Sequence, residues 1–345
     1  RPPLFDDPKP ETTTSFETGL DVWLFDNKFN FDITYYNSTL RNQFLYVSTA
    51  NGESKPVNTG KIRNYGLEFS AGYRWNINHD WRWQTGFNFA WNDNRILETY
   101  KTESGAPYIV EMGTNAFKIK YIEGGRYGDI YVNSFARDEN GHIKINGAGD
   151  YENAVPVMES GKYETYVGNT TSPVTLGWNN TFSWKNFNLY FLIDGRIGGK
   201  VMSLTEPDLD LFGLSERSAH DRLKGERVTQ NGKEYVLKEL PDGSGNKVPV
   251  ENYYTTIGAY PMEDHVYNAT NLRMRDISLS YNFSNLLGKN TGLTAQFSIK
   301  NAFFIYKDSP IDPDISVSAA NGYSGIDCYS LPTTRSYALT LKFSF

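Results

Sequence analysis

Two pairs of neighbouring residues combine a histidine with a carboxylate, as a general base and its orienting group do in hydrolases. The pairs are His220 with Asp221, and Asp264 with His265. Catalysis would also need an activated nucleophile, and no nucleophile motif accompanies either pair. Because neighbouring residues on an exposed loop are usually solvated, we predict that the protein is not an enzyme. A surface hydrolase that depends on His220 or His265 is the catalytic alternative.

Two acidic pairs could ligate Ca²⁺ through their oxygens. They are Asp208 with Asp210, and Asp312 with Asp314. A calcium site needs about six oxygens or more, and no loop with the required spacing is visible. The single cysteine, Cys328, excludes an intrachain disulfide and a cysteine-based metal cluster. We therefore assign no metal site and no cofactor, and calcium in the long loops stays an open alternative.

The composition of the chain narrows the kind of element that can position these residues. Aromatic residues make up 15% of the 345 residues, yet charged residues make up 21% and the mean hydropathy is −0.54. A membrane-spanning helix needs about 20 consecutive apolar residues, and the sequence has no such run. A β-barrel wall alternates apolar with polar residues and collects aromatics at both membrane interfaces. The net charge of −6, without a Lys/Arg cluster, argues against a nucleic-acid partner.

The C-terminal residues show this alternation most clearly, because every second residue is apolar. The apolar set is Tyr337, Leu339, Leu341, Phe343 and Phe345. Such a strand suits a wall between lipid and a wet lumen, although the edge of a soluble β-sandwich would look similar in isolation. Repetition of the pattern decides between the two.

The alternation repeats about nine times along the chain. The segments begin near Phe16, Phe29, Tyr65, Trp81, Val174, Phe187, Ile277, Leu293 and Tyr337. Short turns join them in pairs, and long connections cover about residues 45–61, 96–173, 198–270 and 306–332. This sorting of turns and loops predicts an all-β protein, a transmembrane antiparallel β-barrel that crosses the outer membrane several times and has long structured extracellular loops.

An odd number of strands cannot close a single-chain bacterial barrel, and open sheet edges cannot face lipid. We therefore expect the chain to be the C-terminal portion of one larger β-barrel domain, whose plug and earlier strands lie outside this sequence. Residues 1–7 have neither the basic start nor the apolar core of a signal peptide, as expected for a processed or partial chain.

Local signals predict structure within the long loops. Asn140-Gly141 and Asn231-Gly232 are typical of tight hairpin turns, the first between strands near 130–132 and 143–145. Ser215 is predicted to cap a helix that extends to about Leu223. Asn180 falls on the apolar face of its segment, where the sequence gives no reason for a polar side chain.

Ten segments, in order along nearly the whole chain, resemble the SusC/RagA-type TonB-dependent transporters of Bacteroidota. They are Pro10–Asp21, Asp32–Asn37, Asn64–Glu68, Gly124–Tyr131, Val167–Pro173, Asp194–Gly199, Asn271–Asp276, Lys300–Phe303, Asp312–Asp314 and Pro332–Tyr337. The resemblance implies a barrel of about 22 strands, of which this chain supplies about nine. It also implies an N-terminal plug inside the barrel and a SusD-like lipoprotein over its mouth.

The function that the resemblance implies is TonB-dependent import of oligosaccharides or oligopeptides, with TonB acting through the N-terminal part that is absent here. The remaining partners would be the rest of the same barrel, the plug and membrane lipid. The alternative is a SusC-like scaffold barrel that docks other outer-membrane proteins without moving solute.

The alternation assigns a set of polar and aromatic side chains to the lumen. We expect the charged ones to face the plug or to solvate the lumen: Glu17, Asp21, Asp32, Glu68, Arg74, Arg82 and Asp194. Aromatic rings beside carboxylates and amides could hold sugars or a peptide backbone. We predict that the substrate-binding residues are Trp23, Tyr36, Asn37, Asn92, Tyr190 and Arg196.

Overall fold

The computed structural model describes residues 9–48, 54–58, 60–101, 104–159, 161–258, 261–284, 291–317 and 323–344. Nine strands form one antiparallel sheet, the wall, in which each strand pairs with the wall strands before and after it along the chain. They are β1 (Thr12–Leu24), β2 (Phe29–Arg41), β3 (Lys61–Asn76), β4 (Trp81–Glu98), β5 (Val174–Trp184), β6 (Phe187–Ile197), β7 (Asn271–Ser284), β8 (Gly292–Lys307) and β9 (Ser336–Ser344). The predicted nine-strand pattern is confirmed, and Phe345 lies outside the described residues.

The strand register sorts side chains onto two faces of the wall. Leu20 pairs with Ile33 on one face, which we call the lipid face, and Asp21 pairs with Asp32 on the other, the lumen face. In β9, Leu339 on the lipid face is 71% exposed. An apolar side chain this exposed on a regular strand fits contact with lipid rather than with water.

Short turns join the wall strands at one end, which we call the inner rim. Lys185 and Asn27 adopt left-handed backbone conformations there, with φ of 50° and 62°. The Lys185 N–H donates to the Asp80 carbonyl at 2.9 Å, and the Asn282 N–H donates to the Asn186 carbonyl at 3.0 Å. The turn at Lys185-Asn186 is therefore hydrogen-bonded to the preceding turn on one side and to the inner end of β7 on the other.

Asn180 is a polar residue on the lipid face of β5, and its environment explains it. The residue is fully buried, and its Oδ1 accepts a hydrogen bond from the Trp83 indole N–H at 3.0 Å. The Trp83 ring also stacks on Phe182, with 5.8 Å between ring centres. The amide thus satisfies an indole donor among aromatic rings and does not face lipid.

The long connections at the opposite end, the outer end, carry secondary structure of their own. Their strands are Phe44–Ser48, Ser54–Asn58, Val110–Gly113, Phe117–Tyr121, Asp129–Val132, Ile145–Asn146, Val155–Pro156, Thr165–Asn169, Lys200–Ser203, Glu226–Gln230, Lys233–Glu239, Lys247–Pro249, Val266–Asn268 and Ile326–Asp327. Their helices are α1 (Glu206–Leu211), α2 (Glu216–Lys224), α3 (Val250–Gly258) and a 3₁₀ turn at Met262–His265. None of the described helices has the length and apolar character needed to cross a membrane.

Two hydrophobic cores hold this loop structure together. The first core includes Phe117, Ile130 and Met202 from three loop segments, together with Ile62 and Ile96 from the outer ends of β3 and β4. The second core consists of loop residues alone, and it is centred on side chains that are almost completely buried: Phe135, Val248, Tyr253 and Ile257. Wall strands therefore contribute side chains to the first core and none to the second.

The local predictions for the loops are only partly correct. The hairpin at Asn231-Gly232 is confirmed, because Glu226–Gln230 pairs with Lys233–Glu239. Ser215 caps α2 by accepting a hydrogen bond from the Ser218 N–H at 3.1 Å. A tight turn does form at Asn140-Gly141, where Arg137 pairs with Ile143. The predicted pairing of residues 130–132 with 143–145 is wrong, because Asp129–Val132 pairs with Phe117–Tyr121 and Thr165–Asn169. Pairing with these two strands buries Ile130 and Val132 completely.

Candidate functional site

Carboxylates line the lumen face of β1 to β3. Asp21 lies opposite Asp32, Glu17 lies opposite Tyr36, and Glu68 lies opposite Thr34. None of these four carboxylates has an ion-pair partner within the described ranges. Because like charges directly opposite each other repel, this surface favours a neighbour that is cationic or rich in hydrogen-bond donors. Asp32 and Glu68 also line a groove of about 400 Å³ along the middle of the wall.

Tyr36 and Asn92 come together near the outer end of the lumen face. The Asn92 Nδ2 donates to the Tyr36 hydroxyl at 2.7 Å. Gly66 lies between them on β3, and a Cβ at this position would overlap the Tyr36 ring and hydroxyl. The glycine therefore makes room for the bond. We call these residues the Tyr36–Asn92 tier; their place on the lumen face is as predicted, and their role in substrate binding stays a prediction.

The prediction that Asn37 faces the lumen is wrong. Asn37 pairs with Phe16 and Tyr65, which puts its side chain on the lipid face. There its Oδ1 accepts a hydrogen bond from the Arg63 Nε at 3.0 Å. Adjacent residues in a strand point to opposite faces, so Tyr36 and Asn37 cannot both line the lumen.

The remaining predicted lumen residues are dispersed along the height of the wall. Trp23 lies opposite Asn30, one residue from the end of β1 at the inner rim, and it is 58% exposed. Tyr190 lies opposite Thr181, in the inner half of β6. Arg74 and Arg82 are also on the lumen face close to the inner rim. These side chains are far along their strands from the Tyr36–Asn92 tier and do not form one site with it.

Arg196 and Asp194 belong to an ion cluster at the outer end of the lumen face. We call it the arginine–aspartate cluster, and its members are Asp194, Arg196, Arg273, Arg275, Asp312 and Asp314. Arg275 donates to Asp194 at 2.7 Å and to Asp314 at 2.6 Å, and Arg196 lies 3.4 Å from Asp314. The three arginines balance the three aspartates in charge. Asp312 and Asp314 belong to the last outer loop and pair with arginines of β6 and β7, so the cluster fixes this loop to the two strands.

Arg273 is the most buried member of this cluster. The residue is 1% exposed, its guanidinium donates to Asp312, and its Cζ lies 3.9 Å from the centre of the Phe304 ring. Burial raises the pKa of Asp312, but hydrogen bonds from Thr333 and the Asp314 N–H, with the Arg273 charge, hold that pKa below its usual value. Asp312 and Asp314, which were candidates for calcium ligands, are therefore paired with guanidinium groups.

A second anchor ties another outer loop to β4. The Ile96 N–H donates to the Gly125 carbonyl at 3.0 Å, and the Gly124 N–H donates back to the Ile96 carbonyl at 2.8 Å. Arg126 adds an ion pair to Asp93, which is 7% exposed. The loop side of each anchor, Asp312–Asp314 or Gly124–Tyr131, is a segment that resembles the transporter family, and both anchors connect loops to the wall.

The histidine pairs do not form the arrangement that a hydrolase needs. His220 is exposed and lies 3.4 Å from Asp221, at the edge of a cavity of about 620 Å³ between α2 and α3. His265 is fully buried, and its Nε2 contacts Asp210 at 2.8 Å. The expectation of a solvated Asp264–His265 pair is therefore wrong, because the Asp264 carboxylate accepts a hydrogen bond from the Tyr253 hydroxyl instead.

Asp210 is the centre of a buried network in this part of the loops. Burial raises its pKa, but hydrogen bonds from His265, Arg217 and Ser215 outweigh burial, so the pKa lies below its usual value of 3.8. Arg217 completes an ion pair with the same carboxylate. Asp210 thus joins α1, α2 and the 3₁₀ turn, and its oxygens are not free for calcium.

The family model described as "TonB dependent receptor-like, beta-barrel" matches residues 2–194, which is more than half of the chain. The chain belongs to this family. It is therefore an outer-membrane β-barrel protein, and the family is one of receptors and transporters rather than of known enzymes.

Individual relatives agree with this assignment. TonB-dependent receptor P3 of Formosa agariphila is 24% identical over 99% of this chain and 35% of its own length. TonB-dependent receptor SusC of Bacteroides thetaiotaomicron is 24% identical over 100% of this chain and 33% of its own length. The solved structure of the RagAB peptide transporter has the same fold, with a TM-score of 0.68 at 18% identity over 97% of this chain and 35% of that one. The predicted resemblance is confirmed, and the chain spans about a third of the length of these relatives.

Proposed function

We propose that this chain forms wall and outer loops of a TonB-dependent importer of oligosaccharides or oligopeptides, working with a SusD-like surface lipoprotein. The observation that carries the proposal is the polar lumen face below loops that are anchored to the same wall. A solute arriving between the loops would first meet the Tyr36–Asn92 tier and then the carboxylates of β1 to β3. The fold shared with the RagAB peptide transporter supports the peptide class, and the oligosaccharide class rests on the resemblance to SusC/RagA-type transporters.

The chemistry of this face suits neutral, hydroxyl-rich or amide-rich solutes. Asn92 and Tyr36 together offer donors and acceptors at one height, and the unpaired carboxylates below them accept hydrogen bonds from hydroxyl or amide groups. Arg196 is 46% exposed at its side chain and could donate to solute while it remains near Asp314. The proposal also includes energy coupling by TonB through a plug, and this part rests on the resemblance to the transporter family.

Uptake measurements test the proposal, and the chain offers a matched control. Asn92→Ala removes the lumen amide, whereas Asn37→Ala removes the same side chain from the lipid face one residue from Tyr36. Loss of one hydrogen bond to a solute is worth about 1.4 kcal/mol, so we expect uptake of a labelled oligosaccharide or oligopeptide at limiting concentration to fall about tenfold for Asn92→Ala. Asn37→Ala cells should stay within about twofold of wild type.

Two further measurements complete this test. Uptake should cease when TonB is inactivated, and a SusD-like lipoprotein should co-purify with the protein from native outer membranes. Uptake that persists without TonB, or that is unchanged in cells lacking the protein, would contradict the proposal for the labelled solutes used.

A scaffold function is the second candidate, and exposed apolar side chains on the loops favour it. Phe212 and Leu214 between α1 and α2 are both 72% exposed, and Leu223 at the end of α2 is 76% exposed. Such side chains are suited to a protein contact. The scaffold predicts that several outer-membrane proteins co-purify while no solute uptake depends on the protein, and substitution of Phe212 and Leu214 by Ser should release them.

A further inference from the structure

The outer end of the lipid face carries cations that lie directly opposite one another. Arg41 of β2 pairs with Lys61 of β3, and Arg63 of β3 pairs with Arg95 of β4. All four share the face of Asn37, because every second residue of a strand points to the same side. We call these four residues the outer basic patch. Like charges in directly opposed positions repel, so the patch favours an anionic neighbour.

Arg41 and Arg63 have no ion-pair partner among the residues that the structure describes. The Arg63 Nε donates to the Asn37 Oδ1 at 3.0 Å, and the Arg41 guanidinium lies 3.5 Å from the Thr14 hydroxyl. Both of these partners are neutral. Glu11, which precedes β1, accepts a hydrogen bond from a backbone N–H at 2.6 Å instead. The two arginines therefore keep their full charge at this surface.

The carboxylates on the same surface balance only part of the remaining charge. Glu98 lies 3.6 Å from Lys61 through a side chain that is 62% exposed. Asp93 is 7% exposed and is shared between Arg95, at 3.6 Å, and Arg126. Each carboxylate thus already has a cation of its own. The excess positive charge stays with the two unpaired arginines.

Aromatic side chains show that this patch lies at the level of lipid headgroups. Tyr65 and Trp91 contact each other edge-on on the lipid face, with 5.7 Å between ring centres. The Arg63 guanidinium lies 4.9 Å from the centre of the Tyr65 ring. Trp91 is ten residues along β4 from Trp81 at the inner rim, which gives about 25 Å of height for a tilted strand. This is the height of the apolar band of a barrel, so the two rings mark its outer boundary.

We propose that the outer basic patch binds a phosphorylated glycolipid of the lipid A class in the outer leaflet, with its phosphate between Arg41 and Arg63. The chain belongs to an outer-membrane family, and phosphorylated glycolipid is the main anionic lipid of that leaflet. Guanidinium groups offer paired N–H donors that match the oxygens of a phosphate.

The same face of the wall accommodates the acyl part of this lipid. Inward from Arg63 along β3, the lipid face continues with Tyr65, Leu67 and Phe69, all of them partly exposed. The phosphate and an acyl chain would therefore contact one continuous surface, cationic at its outer end and apolar below. Because this surface faces lipid, the site is separate from the solute path along the lumen face.

Binding of lipid A measures this site directly. The complete barrel protein is purified from its native outer membrane in mild detergent and titrated with monophosphoryl lipid A by native mass spectrometry. The double variant Arg41→Gln and Arg63→Gln should bind the lipid about 30-fold more weakly, which corresponds to about 2 kcal/mol at about 1 kcal/mol per cation. Arg63→Gln alone should lose about fivefold, and it provides the test if the double variant does not reach the membrane.

A matched variant and two ligand controls keep the proposal falsifiable. Lys28→Gln with Lys185→Asn removes two cations from the inner rim and should leave lipid A binding unchanged; asparagine at position 185 tolerates the positive φ. Lipid A without its phosphate should bind the wild type as weakly as the double variant binds the phosphorylated lipid. Inorganic phosphate in excess should not displace the lipid.

Four results would contradict this assignment. Unchanged affinity in the arginine variants, or an equal loss in the inner-rim variant, would overturn the role of the patch. Undiminished binding of lipid A without phosphate would overturn phosphate recognition. Displacement by inorganic phosphate would overturn the lipid in favour of a free anion.

Discussion

Replacing Arg273 with methionine tests whether the arginine–aspartate cluster anchors the last outer loop. Arg273 is 1% exposed, lies 3.4 Å from the Asp314 carboxylate and contacts the Phe304 ring. Methionine retains much of the side-chain volume, so the packing against Phe304 is largely kept. The variant therefore removes one cation from two carboxylates with little change in shape.

The free energy lost in Arg273→Met depends on the partners that Asp312 and Asp314 keep. Removing one partner of a buried ion pair costs about 3–5 kcal/mol. The lower value applies here, because Asp314 keeps Arg275 at 2.6 Å and Asp312 keeps its hydrogen bond from the Thr333 hydroxyl. A loss of about 3 kcal/mol raises the equilibrium for opening of the loop about 150-fold.

Hydrogen exchange measured by mass spectrometry is the appropriate assay. Amides in residues 308–317 and 323–335 should exchange about 150-fold faster in Arg273→Met, and amides in β1 to β4 should not change. Arg95→Met is the matched control, because Arg95 pairs with Asp93 at 3.6 Å through a side chain that is 45% exposed, and exposed pairs contribute about 0–1 kcal/mol. Unchanged exchange in the loop, or equal acceleration in the control, would refute the anchoring role.

Three further predictions concern the wall and the loops. Gly66→Ala should lower the free energy of unfolding by about 1–3 kcal/mol, because its Cβ has no room, whereas a Cβ at Gly177 meets nothing within 4 Å and Gly177→Ala should leave urea unfolding unchanged. Trp83→Phe should cost about 1–3 kcal/mol by leaving the buried Asn180 amide without its donor, and the same unfolding assay checks it; an unaltered midpoint would mean that this hydrogen bond contributes nothing. Asp210 has a pKa that is lower in the folded protein than in the unfolded chain, so its stabilising effect is complete above the unfolded value of 3.8 and is lost as the pH falls below it. Asp210→Asn should therefore speed limited proteolysis of residues 206–265 at pH 7, and this difference between variant and wild type should shrink at pH 3, where a protease active in acid is used for both.

The wall could be predicted from the sequence because one physical rule governs it. Alternation with period 2 identified β9 and the lumen positions of Asp21 and Asp32 without any knowledge of neighbours. The same rule excludes Asn37 from the lumen. Polarity misled the prediction at that position because the outer end of the lipid face also carries polar residues, such as Arg63, which bond to one another.

The loop contacts could not be predicted in the same way. Asp210 and His265 are 55 residues apart, and Arg273 and Asp312 are 39 apart, so no local pattern connects either pair. Irregularities in the β7–β8 register, between Leu272 and Arg273 and again near Arg275, also break the alternation there. For Arg273 and Asp312 the one available signal was the resemblance of both segments to a known family, which marked them as a set without showing that they touch; Asp210 and His265 lie outside the resembling segments.

One of the two loop cores includes residues of wall strands and the other does not, so the two cores should form at different stages of assembly. The second core takes its residues from the two loops on either side of β5 and β6, so it needs these two strands paired as a hairpin but needs no other wall strand. The first core needs Ile62 and Ile96, which reach their positions only when β3 and β4 have paired. Insertion into the membrane should therefore proceed with one loop module already folded, and the other module should become protease-resistant only at the moment when these two strands join.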